Sequence, residues 1–131
     1  MEMSMNKIQS IRKDWDLIES LIRDNSRVLD IGCGGGHLLE ELAKAVGPKG
    51  KAIGLDTSED QLKQAKERCA LYDNAFTLLG FANRINLESN SCDAVASVQT
   101  FEYIEDVDES IEEVARILKP SSIFVNISIL W

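Results

Sequence analysis

The sequence predicts an α/β fold built on a parallel, doubly wound sheet, and three observations predict it. From residue 27 onward, short apolar runs alternate with segments whose apolar residues recur at steps of three and four. That is the pattern of strands joined by helices through right-handed crossovers. The first run, Arg27-Val28-Leu29-Asp30-Ile31, passes directly into Gly32-Cys33-Gly34-Gly35-Gly36 and then into a helical pattern. The second, Lys51-Ala52-Ile53-Gly54-Leu55, ends in Asp56, twenty residues past the last glycine of that loop. A nucleotide-binding fold places there the carboxylate that receives ribose hydroxyls.

Each element follows from spacing and punctuation. Ile8, Ile11, Trp15, Ile18 and Ile22 lay an apolar stripe along a helix of roughly residues 5–24, closed by Asp24-Asn25-Ser26. Ile18, Leu21 and Ile22 are read as core. In the first loop, glycine removes Cβ atoms where the backbone must turn sharply or meet a ligand closely. The helix beyond it directs free N–H groups back at the loop, which favours an anionic group there. Leu38, Leu39, Leu42 and Val46 carry that helix, and Gly47-Pro48-Lys49-Gly50 stops it. His37, the only histidine, is a helix-start residue. Ser58 with Gln61 three residues later fits a capping box. The helix it opens runs to about Ala70 with Leu62, Ala65 and Cys69 inward. Residues 75–80 read as a third strand. Val107, Ile111, Val114, Ala115 and Leu118 make the apolar face of a helix over 106–118, and 123–131 reads as a further strand.

Composition narrows the function classes. A chain of 131 residues with 44% hydrophobic content suits one globular domain, 1–131. A net charge of −8 argues against a nucleic-acid backbone as partner, which needs clustered Lys and Arg. It serves solubility and does not exclude a cationic ligand. Cys33, Cys69 and Cys92 lack metal-site spacing and are odd in number, so no metal site or disulfide framework is expected, and a reducing, cytoplasmic setting fits best. No signal pattern opens the chain and no apolar run approaches the ~20 residues that span a bilayer, so no membrane partner is expected.

The loop spells G-x-G-x-G at Gly32, Gly34 and Gly36, with His37 where a dinucleotide fingerprint needs glycine. With Asp56 one strand over, this run resembles the glycine-rich signature of class I S-adenosylmethionine-dependent methyltransferases of the small-molecule type. The resemblance covers roughly residues 25–128. Asp93-Ala94-Val95 resembles the family's entry into its fourth strand, and Glu112-Glu113-Val114-Ala115-Arg116-Ile117-Leu118-Lys119-Pro120 resembles the helix before its fifth. The resemblance implies a Rossmann-like sheet in the order 3-2-1-4-5, with the cofactor over the carboxyl ends of strands 1 and 2. The later helix and antiparallel hairpin of such enzymes are not in the sequence, so the domain is expected to be incomplete after its fifth strand. That strand is then a long apolar edge, and a homodimer through it is expected. Where the family shows Gly-Gly after the helix, Ser121-Ser122 stand here, so an altered or strained turn is expected.

The resemblance also assigns roles. S-adenosylmethionine is the implied cofactor. Gly32, Gly34 and Gly36, with Cys33 between them, let its methionyl part approach the backbone. Asp30 orders that loop or meets the amine, Asp56 grips the ribose, Thr57 and Ser58 touch the adenosine besides capping the helix, and Gln61 is a further cofactor contact. The family's Gly-Asp-Ala turn is Gly80-Phe81-Ala82 here. Phe81 cannot accept a bond from the adenine amine; it is placed on the ring beside Ala82, with Asn83 as an acceptor. Gln99 is expected to offer backbone groups, and Glu102 and Tyr103 to face the methyl acceptor as candidate general bases. No Asn-Pro-Pro-Tyr or Pro-Cys marks a base-methylating enzyme. The leading reading is methyl transfer to a small molecule by in-line displacement in a dry, aligned site. Its rivals are a cofactor-binding module without transferase activity and a nicotinamide-dependent oxidoreductase, the latter disfavoured by His37.

Overall fold

The computed structural model describes residues 16, 18 and 22–127. Five strands form one parallel sheet: β1 (Arg27–Ile31), β2 (Lys51–Asp56), β3 (Ala75–Leu79), β4 (Cys92–Val98) and β5 (Leu118–Ile127). Their order is β3-β2-β1-β4-β5, as expected. Among the described residues, three helices connect them: α1 (His37–Val46), α2 (Glu59–Arg68) and α3 (Val107–Ile117), with a 3-10 turn at Phe101–Tyr103.

The central position of β1 explains its unbroken apolar run, since both of its faces are covered. Its alternate residues feed two cores. Val28 packs with Leu39, Leu42 and Val46 of α1 and with Leu62 and Ala65 of α2. Leu29 and Ile31 pack on the opposite face with Val95 and with Val114 and Ile117 of α3. Each of the large aliphatic side chains buried this way contributes about 1.5–3 kcal/mol of transfer free energy. Ile18 is buried with the first core and Ile22 packs against it. Ile8, Ile11, Trp15 and Leu21, on the remainder of the expected N-terminal helix, lie outside the described residues.

Helix ends match the punctuation. Ser58 caps α2, its Oγ accepting from the Gln61 N–H at 3.2 Å. α1 stops before Gly47, and Asn74 completes that end by donating to the carbonyls of Ala43 (2.9 Å) and Gly47 (2.7 Å).

The last strand departs from expectation. It starts at Leu118 directly after α3, rather than at 123. Leu118 pairs with Cys92 and Ile123 with Ala94, with a register shift between them that leaves the intervening residues of β5 extra. Pro120 lies in that irregular stretch of an edge strand, where its missing N–H breaks no ladder. Ser121 takes φ +67°, the left-handed conformation that the sequence pattern associates with glycine. For a residue with a Cβ that conformation costs about 1–2 kcal/mol. Residues 128–131 of the expected strand lie outside the described residues.

Ser121→Gly should therefore stabilise the domain by about 0.5–1 kcal/mol, the relief of strain exceeding glycine's added chain entropy. Urea denaturation checks this; an unchanged or lower midpoint would show that the left-handed serine is not strained.

Candidate functional site

A cavity of about 430 Å³ opens at the carboxyl ends of β1, β2 and β3 and reaches the start of α3. In an open parallel sheet this is where ligands lie, next to the point where strand order reverses. Ile31 and Leu55 give it an apolar floor, and Gly32 and Asp56 form the wall nearest the glycine loop.

That wall is built by backbone hydrogen bonds. The N–H groups of Gly32 and Cys33 both donate to the Leu55 carbonyl, at 2.8 and 2.9 Å. The Asp56 carboxylate accepts from the Gly34 N–H at 2.9 Å and from the Ser58 N–H at 2.9 Å. The loop and the end of β2 are thus one unit. Two of its glycines are obligatory. Gly32 has φ +75°, and a Cβ there would collide with the Thr100 side chain. Gly36 has φ +90°, and a Cβ would stand 2.8 Å from the Ala65 Cα in α2.

Asp30 lies beneath this loop, 2% exposed, with its Oδ2 lacking a hydrogen-bond partner among the described residues. Burial, with the Asp56 charge added, pushes its pKa from 3.8 to about 8. At neutral pH the carboxyl is therefore held largely protonated.

The candidate residues divide by position. Gly32, Asp56, Thr57, Phe81 and Ala82 line the cavity, and Phe81 is 66% exposed. Gly34 and Gly36 lie in the loop that forms the cavity's edge. Gln61 stands over that loop, its Oε1 3.5 Å from where a Gly34 Cβ would be, rather than on the cavity. The Cys33 side chain is buried in the first core, and a Cβ on Gly54 would lie 2.7 Å from its Sγ. Burial pushes its thiol up to about 12, so it is no nucleophile, and Cys33 is off the cavity lining. Gln99 follows β4 with φ +54°, and its N–H donates to the Ile127 carbonyl at 2.7 Å, so of its backbone groups only the carbonyl is left for a ligand. Tyr103 lines the mouth at 81% exposure, whereas Glu102, beside it on the 3-10 turn, is exposed and off the lining.

Sequence reasoning reached only Asn83 and Tyr103 of the far wall. Thr100, Ile104, Asp106 and Ser110 also line the cavity. Asn83 lines it too, and its Nδ2 donates to Asp106 Oδ2 (3.3 Å) and Glu109 Oε2 (3.4 Å). The available signal was the i, i+4 spacing of Asp106 and Ser110, which sets both on one face of a helix start. Behind this wall, Arg116 of α3 donates to both oxygens of Glu113 (2.8 and 3.0 Å) and to the carbonyls of Ile85 (2.8 Å) and Leu87 (2.9 Å). Glu113 in turn accepts from the Ile85 N–H at 2.8 Å, and the Arg116 hydrogen bond holds its carboxyl below the usual range.

Fold and site together define a class I S-adenosylmethionine-dependent methyltransferase domain: the 3-2-1-4-5 parallel sheet, the glycine loop after β1 and the carboxylate ending β2. The chain belongs to the family described as "Methyltransferase domain", which residues 22–130 match. It is 35% identical over 104 residues to demethylmenaquinone methyltransferase of Staphylococcus aureus, an alignment covering 79% of this chain and 43% of that protein. Its structure is similar to an S-adenosylmethionine-dependent methyltransferase from Aquifex aeolicus, at TM-score 0.79 and 28% identity, covering 86% of this chain and 62% of that one. It is also similar to Haemonchus contortus phosphoethanolamine N-methyltransferase 1 in complex with phosphoethanolamine and S-adenosylhomocysteine, at TM-score 0.75 and 26% identity, covering 86% of this chain and 24% of that one. The chain thus spans less than half the length of the demethylmenaquinone methyltransferase it matches. The residues present fit the cofactor: a bend that Cβ atoms would fill, an orphaned buried carboxyl beneath it, and an acceptor carboxylate beside it. Among the described residues, no helix is long and apolar enough to cross a membrane and no cluster could hold a metal ion.

The Asp30 shift makes a pH prediction. A carboxyl whose pKa folding raises from 3.8 to about 8 stabilises the fold fully below the lower value. That contribution declines as pH rises between the two and is gone above the upper. Asp30→Asn should melt with a flatter profile between pH 5 and 8.5 than wild type, gaining on it as pH rises. Parallel melting curves would contradict the assignment.

Proposed function

We propose that this domain binds S-adenosylmethionine in the cavity at the ends of β1 and β2 and transfers its methyl group to a small-molecule acceptor. The observation that carries the reading is the Asp56 carboxylate, bonded to the glycine loop and lining the same cavity. S-adenosylmethionine, when bound, supplies a methyl group activated by its sulfonium leaving group. Everything else falls to the chain. Gly32, Gly34 and Gly36, with the Cys33 backbone, admit the methionyl part; Asp30 takes its amine or orders the loop. Asp56 receives the ribose hydroxyls, each carboxylate oxygen keeping a further acceptor site beyond its backbone bond. Phe81 and Ala82 border the adenine, Thr57 and Gln61 the adenosine, and Gln99 offers its carbonyl. Tyr103, with Glu102 beside it, faces the acceptor, whose alignment with the methyl is the main catalytic contribution. A small-molecule acceptor is supported by the names of the relatives, among them demethylmenaquinone methyltransferase and phosphoethanolamine N-methyltransferase. Cytoplasmic residence is supported by three buried, unpaired cysteines, and a homodimer by the position of β5 at the sheet edge with Ile123 exposed.

Calorimetric titration with S-adenosylhomocysteine should show binding at one site, with no response to NAD. Asp56→Ala should weaken that binding about tenfold or more, the usual scale for losing a hydrogen bond to a charged group. Tight NAD binding without S-adenosylhomocysteine binding would refute the proposal. Methyl transfer to a metabolite panel separates an enzyme from a binding module: transfer is expected, and its absence alongside tight binding would favour the module.

A further inference from the structure

Three buried side-chain oxygens lack a hydrogen-bond partner among the described residues: Asp30 Oδ2, Ser97 Oγ and Ser110 Oγ. Of these residues only Ser110 lines the cavity, and it is 0% exposed. A hydroxyl left this way on a helix loses about 1–3 kcal/mol of hydration unless a ligand completes it. One turn earlier on the same helix face stands Asp106, also on the lining and held by the Asn83 amide at 3.3 Å. Asp106 can only accept, while Ser110 can donate. The walls beside them, Phe81 and Ile104, are apolar and suit the faces of a flat ring. The turn after β3 supplies no carboxylate, because Phe81 stands there.

We propose that Ser110 and Asp106, at the start of α3, read the edge of the cofactor's adenine: Asp106 accepts from the exocyclic amine and Ser110 donates to the neighbouring ring nitrogen. This rests on the proposed cofactor site and names the residues that make it specific for adenine. An acceptor beside a donor matches adenine's amine and ring nitrogen. The Asp106 carboxylate opposes hypoxanthine, whose oxo group can only accept, whereas the Ser110 hydroxyl can turn to either ring nitrogen. Asn83 acts through Asp106, as a positioning residue that fixes its carboxylate.

The test is calorimetric, with S-adenosylhomocysteine and its inosine counterpart as probes and melting curves to confirm folding. Wild type should prefer the adenine ligand by about tenfold or more. Ser110→Ala should weaken adenine-ligand binding about tenfold, and the inosine ligand, whose ring N–H can donate to the same hydroxyl, should weaken with it. Asp106→Asn keeps the shape but adds a donor, so it should improve inosine-ligand binding and narrow the preference. A merely structural serine would lower the melting temperature and leave binding by the folded variant unchanged, which would overturn its role. A preference unchanged in Asp106→Asn would overturn the proposal while leaving the cofactor site intact. Absence of any S-adenosylhomocysteine binding by wild type would overturn both.

Discussion

The site depends on one carboxylate. Asp56 closes β2 and holds two backbone N–H groups at once, Gly34 from the loop after β1 and Ser58 at the cap of α2. Two bonds to one charged group are stronger than two neutral ones and fix its orientation. The loop is further bonded to the Leu55 carbonyl through Gly32 and Cys33. The bend is therefore shaped before any ligand arrives, and little ordering is left for the binding step to drive. The left-handed glycines are the counterpart in the chain: they permit the conformation, and the carboxylate selects it.

A second charged group holds the opposite wall. Arg116 reaches from α3 to the carbonyls of Ile85 and Leu87, and Glu113 takes the Ile85 N–H. Residues after β3 are thereby tied to the helix that carries Asp106 and Ser110. The Glu113–Arg116 pair is partly exposed, so its Coulomb energy alone contributes little. Its importance is that it satisfies backbone groups in a connection with almost no ladder hydrogen bonds of its own. The cavity thus lies between two clamps, one on each side of the switch between β1 and β4.

Most of this fold is legible in the sequence because it is local. Short apolar runs and apolar steps of three and four mark the elements, Gly47 and Ser58 mark helix ends, and the glycine loop with Asp56 marks the site's near wall. The illegible parts depend on contacts between distant segments. The i, i+3 spacing of Glu113 and Arg116 does not announce their bonds to the backbone of Ile85 and Leu87. The loop cysteine reads as a ligand contact, whereas close approach to Gly54 turns Cys33 into core. The start of β5 at Leu118 depends on a register shift against β4, which no periodicity in residues 118–123 announces. The pairing of the turn after β3 with the start of α3 is non-local in the same way.

The central claim is that a preformed bend and one carboxylate converge on a single adenosine-bearing ligand. A crystal structure with S-adenosylhomocysteine bound tests it most directly. The ribose hydroxyls should lie within hydrogen-bond distance of Asp56 while the Gly34 N–H keeps its bond to the same side chain. A ligand seated elsewhere, or an Asp56 side chain turned away from both, would contradict the account.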